Sequence, residues 1–174
     1  MVYIVVILVV LVADLIIKAK ILEIPEAGFP IEKFKGKVKI VRTFNEGMAA
    51  NVLDEDPAKV KKISSLVLVI FLILSLPLFF SKKGRINRKL GAALIIGGAL
   101  SNVADRCIRG KVVDYIQFNM DKSDRMERMT YNIADFSIFI GTVLYMINSD
   151  SKKSKKNNKK LRASGQLSVR KFFL

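Results

Sequence analysis

LGAALIIGGALSNVADR, residues 90–106, is the stretch from which the fold is read. Leu90 to Ala104 carries no charge, and Asp105-Arg106 then closes the run. Gly91, Gly97 and Gly98 lie within it, and small residues let helices approach closely inside a membrane. Moving outward, Met1–Ala13 and Ile63–Phe80 are also free of charge. A fourth apolar run, Phe136–Ile147, follows Asp135 and reaches 18 residues when extended back to Thr130. Roughly 17 to 20 residues at 1.5 Å rise cross a bilayer core. The predicted fold is therefore a membrane all-α bundle of four transmembrane helices. Met1 is followed directly by Val2-Tyr3-Ile4, with no basic segment ahead of the run and no small-x-small site after Ala13. The first run is thus expected to be a span rather than a cleaved signal.

Composition narrows the chemistry. The 174 residues include no His and one Cys. Ser-His-Asp and Cys-His mechanisms, imidazole-ligated zinc and internal disulfides are all excluded. Carboxylates, hydroxyls, Lys and Arg remain. Net charge is +15, yet the charge is segregated from long apolar runs, which argues against a nucleic-acid partner and for a membrane. Ser81–Lys89 holds five basic residues and no acid, and the tail after Asp150 adds nine more, again without an acid. Both are expected in the cytoplasm. Lys18–Lys62 and Asp105–Met129 mix ten basic with seven acidic residues and six with five, and are placed outside. Residues 1–150 form the expected helical domain, and 151–174 a low-complexity basic tail able to touch anionic lipid.

The outer segments have structure of their own. Lys37–Phe44 partly alternates polar with apolar residues, and Val112–Phe118 is rich in β-branched and aromatic residues, so each predicts a short strand in a small extracytoplasmic β-rich segment. Asp56-Pro57 predicts an N-cap and first position for the second helix.

Polar groups at membrane depth are costly and mark function by default. Asp14 and Lys18, four apart on one helical face, form a structural pair. Asn102 and Asp105 fall with Gly98 on one stripe, followed by Arg106. Asp135 opens the last span beside Asn132, where the helix dipole favours an anion. Each of these groups is expected at the outer end of its helix, where they and Asp114 of the strand converge on one layer near the outer surface. Cys107 has no visible partner, and Asp121–Arg128 reads as a solvated loop. Three readings compete with a carboxylate enzyme. One is a proton or ion transporter relaying through Asp14, Asp105 and Asp135. Another is a Ser-Lys peptidase, for which Ser101 lacks a nearby Lys. The third is a polybasic scaffold, which accounts for the tail alone.

The ordered motifs are more specific. Asp14-Leu15-Ile16-Ile17-Lys18, Phe44-Asn45-Glu46-Gly47-Met48-Ala49, Gly97–Arg106, Gly110-Lys111-Val112-Val113-Asp114-Tyr115 and Asn132-Ile133-Ala134-Asp135 together resemble the lipoprotein signal peptidases, signal peptidase II, over about residues 14–141. Leu15, Ala50 and Ser101 stand where that family usually has Gln, Phe and Gly. The resemblance implies four membrane helices, an extracytoplasmic β-rich cradle, and a bacterial cytoplasmic-membrane location with the site on the outer side. It also implies an aspartic endopeptidase, without cofactor or metal, that cuts a prolipoprotein before its diacylglyceryl-modified Cys. By motif, Asp114 and Asp135 are the catalytic pair. Asn45, Asn102, Arg106 and Asn132 orient substrate and pair, while Asp14, Lys18 and Asp105 are structural.

Overall fold

A computed structural model describes residues 1–47, 56–81, 86–119 and 129–147. Ala50, the Lys82, Lys83 and Arg85 part of the basic loop, the Asp121–Arg128 segment and the tail lie outside the described residues. The chain runs α1 (Val2–Glu23), a 3₁₀ turn (Glu26–Gly28), β1 (Ile31–Lys33), β2 (Val38–Asn45), α2 (Pro57–Phe80), α3 (Ile86–Arg109), β3 (Val112–Phe118) and β4 (Thr130–Tyr131). A final helix, α4, covers Ile133–Ile147. Of the four helices, α1 and α2 are long and apolar enough by themselves to cross a membrane. Their exposed faces are Val, Leu and Ile: Val5, Leu8, Val9 and Val12 on α1, and Leu66, Val67, Ile70 and Ile73 on α2. Such surfaces are stable only against lipid.

The start of α2 follows the predicted chemistry. Asp56 Oδ1 accepts the Lys59 N–H at 3.0 Å and Pro57 opens the helix. At the far end, Lys89 Nζ donates to the Ser81 carbonyl at 2.6 Å, satisfying backbone just past the last turn. Helix α3 is the centre of the bundle. Its buried face is made of Gly91, Ala92, Ala93, Ile96, Gly97, Gly98 and Ser101. Small residues allow contact that larger ones forbid: a Cβ on Gly97 would sit 3.0 Å from the Ile7 carbonyl of α1, and one on Gly98 only 2.4 Å from the Ala134 carbonyl of α4. In lipid, where burial of apolar area gives little, such backbone-to-backbone packing holds helices together.

The sheet is antiparallel with order β1-β2-β3-β4. Both predicted strands are present, β2 one residue displaced from Lys37–Phe44, and β1 and β4 extend the sheet on either side. Thr43 pairs with Asp114 and Asn45 with Val112, after an irregularity between Ile40 and Thr43. Val112 to Tyr115 are all buried, so β3 is covered on both sides. Val113 and Tyr115 pack with Ile21 of α1. Asp14 and Lys18 depart from expectation, because α1 does not end near them but runs to Glu23.

Candidate active site

Each polar residue reaches the site on an element the sequence shapes locally. Asn132 precedes α4 and Asp135 is its third residue, and the two exchange hydrogen bonds. The Asp135 N–H donates to Asn132 Oδ1 at 2.9 Å, and the Asn132 N–H donates to Asp135 Oδ2 at 3.0 Å. This reciprocal capping box satisfies two otherwise orphaned donors and fixes the Asp135 carboxylate at the helix mouth. Asn132 Nδ2 also donates to Asp114 Oδ1 at 2.6 Å. Asn132 therefore reaches both acids, Asp114 through its side-chain amide and the Asp135 carboxylate through its backbone N–H. Asp114 Oδ2 accepts Asn45 Nδ2 at 3.2 Å, and Asp135 Oδ1 accepts Asn102 Nδ2 at 2.9 Å.

Asp114 is 2% exposed. Burial, and then the negative charge of Asp135, push its carboxyl up to about 7, against the opposing donation from Asn45 and Asn132. A buried acid whose proton is retained beside a second carboxylate is suited to acid–base work.

Behind the pair lies a wholly buried ionic cluster. Lys18 Nζ meets Asp14 Oδ2 at 2.7 Å and Asp105 Oδ2 at 3.0 Å, with every side chain at 0% exposure. It also donates to Asn102 Oδ1 at 3.0 Å, which orients the Asn102 amide so that its Nδ2 faces Asp135. Asp105 pairs with Arg109 and accepts the Val113 N–H at 3.2 Å, linking α3 to β3. Buried charge of this kind is tolerable only when paired and fully hydrogen-bonded. Arg106 Nη2 donates to the Gly47 carbonyl at 2.7 Å, tying the end of β2 to α3. Within the site, Arg106 Nε and Asn45 Oδ1 are buried without a partner; Arg88 Nε, near the start of α3, is the third such atom among the described residues.

Asp14, Lys18, Asn45, Asn102, Asp105, Asp114, Asn132 and Asp135 fall within this connected cluster, while Arg106 contacts the Gly47 carbonyl and Cys107 is exposed. Two points need correction. Asp14 and Lys18 lie inside their helix rather than at its end, since the ammonium is neutralised from α3 by Asp105. Ser101 does have a lysine nearby, Lys18 at 3.5 Å. That pair still cannot act as nucleophile and base. Ser101 Oγ is engaged with Asp14 Oδ2 at 2.6 Å, Lys18 Nζ is occupied by two carboxylates, and neither is exposed. Sequence reasoning also passed over Tyr115, whose hydroxyl bridges Asp14 and α4. The available signal was a phenol in a buried strand, which normally finds a partner for its O–H.

The chain resembles known proteins in sequence and in fold. The family described as signal peptidase (SPase) II matches residues 6–150. The lipoprotein signal peptidase of Buchnera aphidicola subsp. Baizongia pistaciae is 35% identical over 104 residues, 59% of this chain and 62% of that protein. That of Chlamydia muridarum is 37% identical over 108 residues, 60% of each. The chain thus spans about three fifths of the length of these relatives. The lipoprotein signal peptidase of Mesorhizobium japonicum is 30% identical over 125 residues, 68% of this chain and 70% of that one. A solved structure described as a bacterial membrane enzyme, determined by the in meso method at 2.3 Å resolution, superposes with a TM-score of 0.74 at 27% identity, covering 88% of this chain and 90% of that chain. On the match over residues 6–150, the chain belongs to the signal peptidase II family.

Proposed function

We propose that this protein is an aspartic endopeptidase of the bacterial cytoplasmic membrane. It removes the signal peptide of diacylglyceryl-modified prolipoproteins, cutting just before the lipidated Cys. All four helices span the membrane and the sheet lies on the extracytoplasmic face. Residues 1–150 carry the chemistry, and 151–174 form a cytoplasmic basic tail. The observation that carries the reading is the Asn132 side chain, which holds Asp114 directly and Asp135 through the α4 cap. Family membership and the names of the relatives support the substrate class.

In this reading Asp114 and Asp135 are the catalytic residues and share one proton. Asp114 keeps it, because its buried carboxyl stays protonated up to about 7. Asp135, receiving a backbone N–H and the Asn102 amide, is the ionised base. It takes a proton from a water, the water oxygen attacks the scissile carbonyl carbon, and Asp114 donates to the developing oxyanion. The proton on Asp135 then passes to the amine as the C–N bond breaks, and Asp114 takes back a proton from one hydroxyl of the intermediate, which leaves the new carboxyl group and restores the pair. Asn45 Oδ1 and Arg106 Nε, an acceptor and a donor left open, match the N–H and C=O of a substrate peptide group. Asp14, Lys18 and Asp105 hold the scaffold. Asp114→Asn and Asp135→Asn test the reading, because a shared-proton pair fails when either member is made permanently neutral. Each variant should insert and fold yet leave a lipid-modified precursor uncut. Processing by either at the wild-type rate refutes the pair.

A further inference from the structure

The two acids come from separate elements, β3 and α4, and their relative placement depends on what joins those elements. The Tyr115 side chain is 3% exposed and follows Asp114 directly on β3. Adjacent strand residues point to opposite faces, so Tyr115 turns away from Asp114 toward α1. Its hydroxyl donates to Asp14 Oδ1 at 3.0 Å and accepts the Ile133 N–H at 3.1 Å. Ile133 is the first residue of α4, and its N–H is one of the donors a helix start cannot satisfy internally. Asp14 is in turn held at its other oxygen by Ser101 Oγ at 2.6 Å and Lys18 at 2.7 Å.

We propose that Tyr115 is a positioning residue whose hydroxyl, anchored on Asp14, grips the first N–H of α4 and thereby fixes Asp135 against Asp114. The inference rests on the carboxylate-pair reading above. Consecutive Cα atoms on β3 are 3.8 Å apart, so Asp114 and the grip on α4 form nearly one rigid piece. On α4, Asp135 lies two residues beyond the gripped N–H, within a single turn. Burial raises the phenol's pKa, as does Asp14, so the oxygen keeps its proton and remains both donor and acceptor. A hydroxyl donating to a carboxylate is polarised into a better acceptor, which strengthens its hold on the Ile133 N–H. Ser101 belongs to the same device: it occupies the Asp14 oxygen that Tyr115 leaves.

The test is Tyr115→Phe in the full-length detergent-purified protein, assayed on a lipid-modified precursor with Asp114→Asn and Asp135→Asn alongside. Phe keeps the ring packing and removes only the grip. The expected result is a fall in kcat of roughly tenfold to a hundredfold with KM unchanged, because positioning acts on the reacting geometry and not on substrate affinity. The high-pH limb of the rate profile should also move to lower pH, since Asp135's charge helps raise Asp114 and acts less across a wider gap. The charged groups facing the pair are Asp14 and Lys18 from α1 and Asp105 and Arg106 from α3. Beyond β2, Glu46 is engaged with Lys111. Of these only Asp14 loses a partner in the variant, and its Oδ2 contacts remain. A wild-type kcat and pH profile, or a change confined to KM, overturns the inference. If Tyr115→Phe does not fold, site-specific 3-fluorotyrosine retains the hydroxyl with a weaker acceptor oxygen. It should lower kcat by about two- to fivefold with the same direction of pH shift, as expected for a weakened hydrogen bond. An unchanged rate and profile there overturns it equally. Inactive Asp variants beside a fully active Tyr115→Phe refute this inference alone, whereas active Asp variants bring down both readings.

Discussion

Gly98→Ala tests how closely the site depends on helix packing. A Cβ at this position would lie 2.4 Å from the Ala134 carbonyl oxygen and 2.9 Å from Ile138 Cγ1. Real Cβ atoms essentially never approach within 3.0 Å, so the carbonyl must retreat by at least 3.0 − 2.4 = 0.6 Å, and by 3.4 − 2.4 = 1.0 Å to reach ordinary contact. Ala134 is backbone in the first turn of α4, between Asn132 and Asp135, and has no flexible end that can swing aside. If the shift falls along the 2.9 Å Asn102 to Asp135 hydrogen bond, that distance becomes 3.5 to 3.9 Å and the bond is lost. A misplacement of about 1 Å in a preorganised site costs roughly a hundredfold in rate, which corresponds to about 2.7 kcal/mol of barrier. The assay is kcat on a lipid-modified precursor, read beside the thermal midpoint. Gly91→Ala is the control. Its Cβ would lie 2.5 Å from the Gly141 carbonyl, an equal clash seven residues or about 10 Å farther along α3. Both variants should lose thermal stability, and only Gly98→Ala should lose most of its rate. Wild-type kcat in Gly98→Ala, or equal losses in both, refutes the reasoning.

Three further outcomes follow. Lys18→Met leaves Asp14 and Asp105 buried without their shared cation and should cost about 3 to 5 kcal/mol, seen as a lowered unfolding midpoint and reduced accumulation in membranes. The folded-state pKa of Asp114 is raised from 3.8 to about 7, so its burial penalty is absent below pH 4 and grows as pH rises through 7. Unfolding curves of Asp114→Asn should therefore coincide with wild type near pH 4 and lie at higher temperature near pH 8, whereas the reverse order would contradict the buried-acid assignment. Deleting Lys152 to Leu174 should leave kcat unchanged and at most weaken attraction to anionic vesicles, by on the order of 1 kcal/mol per basic residue at the surface.

The helices were legible because a bilayer forces the issue: runs such as Ile63–Phe80 admit few alternatives. Strands β2 and β3 announced themselves through β-branched and aromatic content, while Ile31–Lys33 and Thr130–Tyr131 are too short to show a period. The polar cluster was legible as a set of residues, and less so as a geometry. Lys18 looked like the end of a helix because a charge ordinarily marks the membrane boundary. Its cancelling partner, Asp105, lies 87 positions away. For the same reason Ser101 seemed to have no lysine near it, and Tyr115 passed for strand filler, since its two partners sit on other elements. Long-range pairing of buried polar groups is settled by tertiary packing, which no local pattern encodes.

The sheet joins β2 to β3, although two helices, α2 and α3, are made between them, and Asp135 arrives later still on α4. The order of synthesis therefore leaves completion of the proposed pair to the last helix. A ribosome that has delivered Asp114 has produced a carboxylate without its counterpart, and the Asn132 that bridges them arrives only three residues before Asp135. On the reading proposed above, an unfinished molecule lacks the second acid, and the pair is completed in one step when the last helix closes onto Gly98.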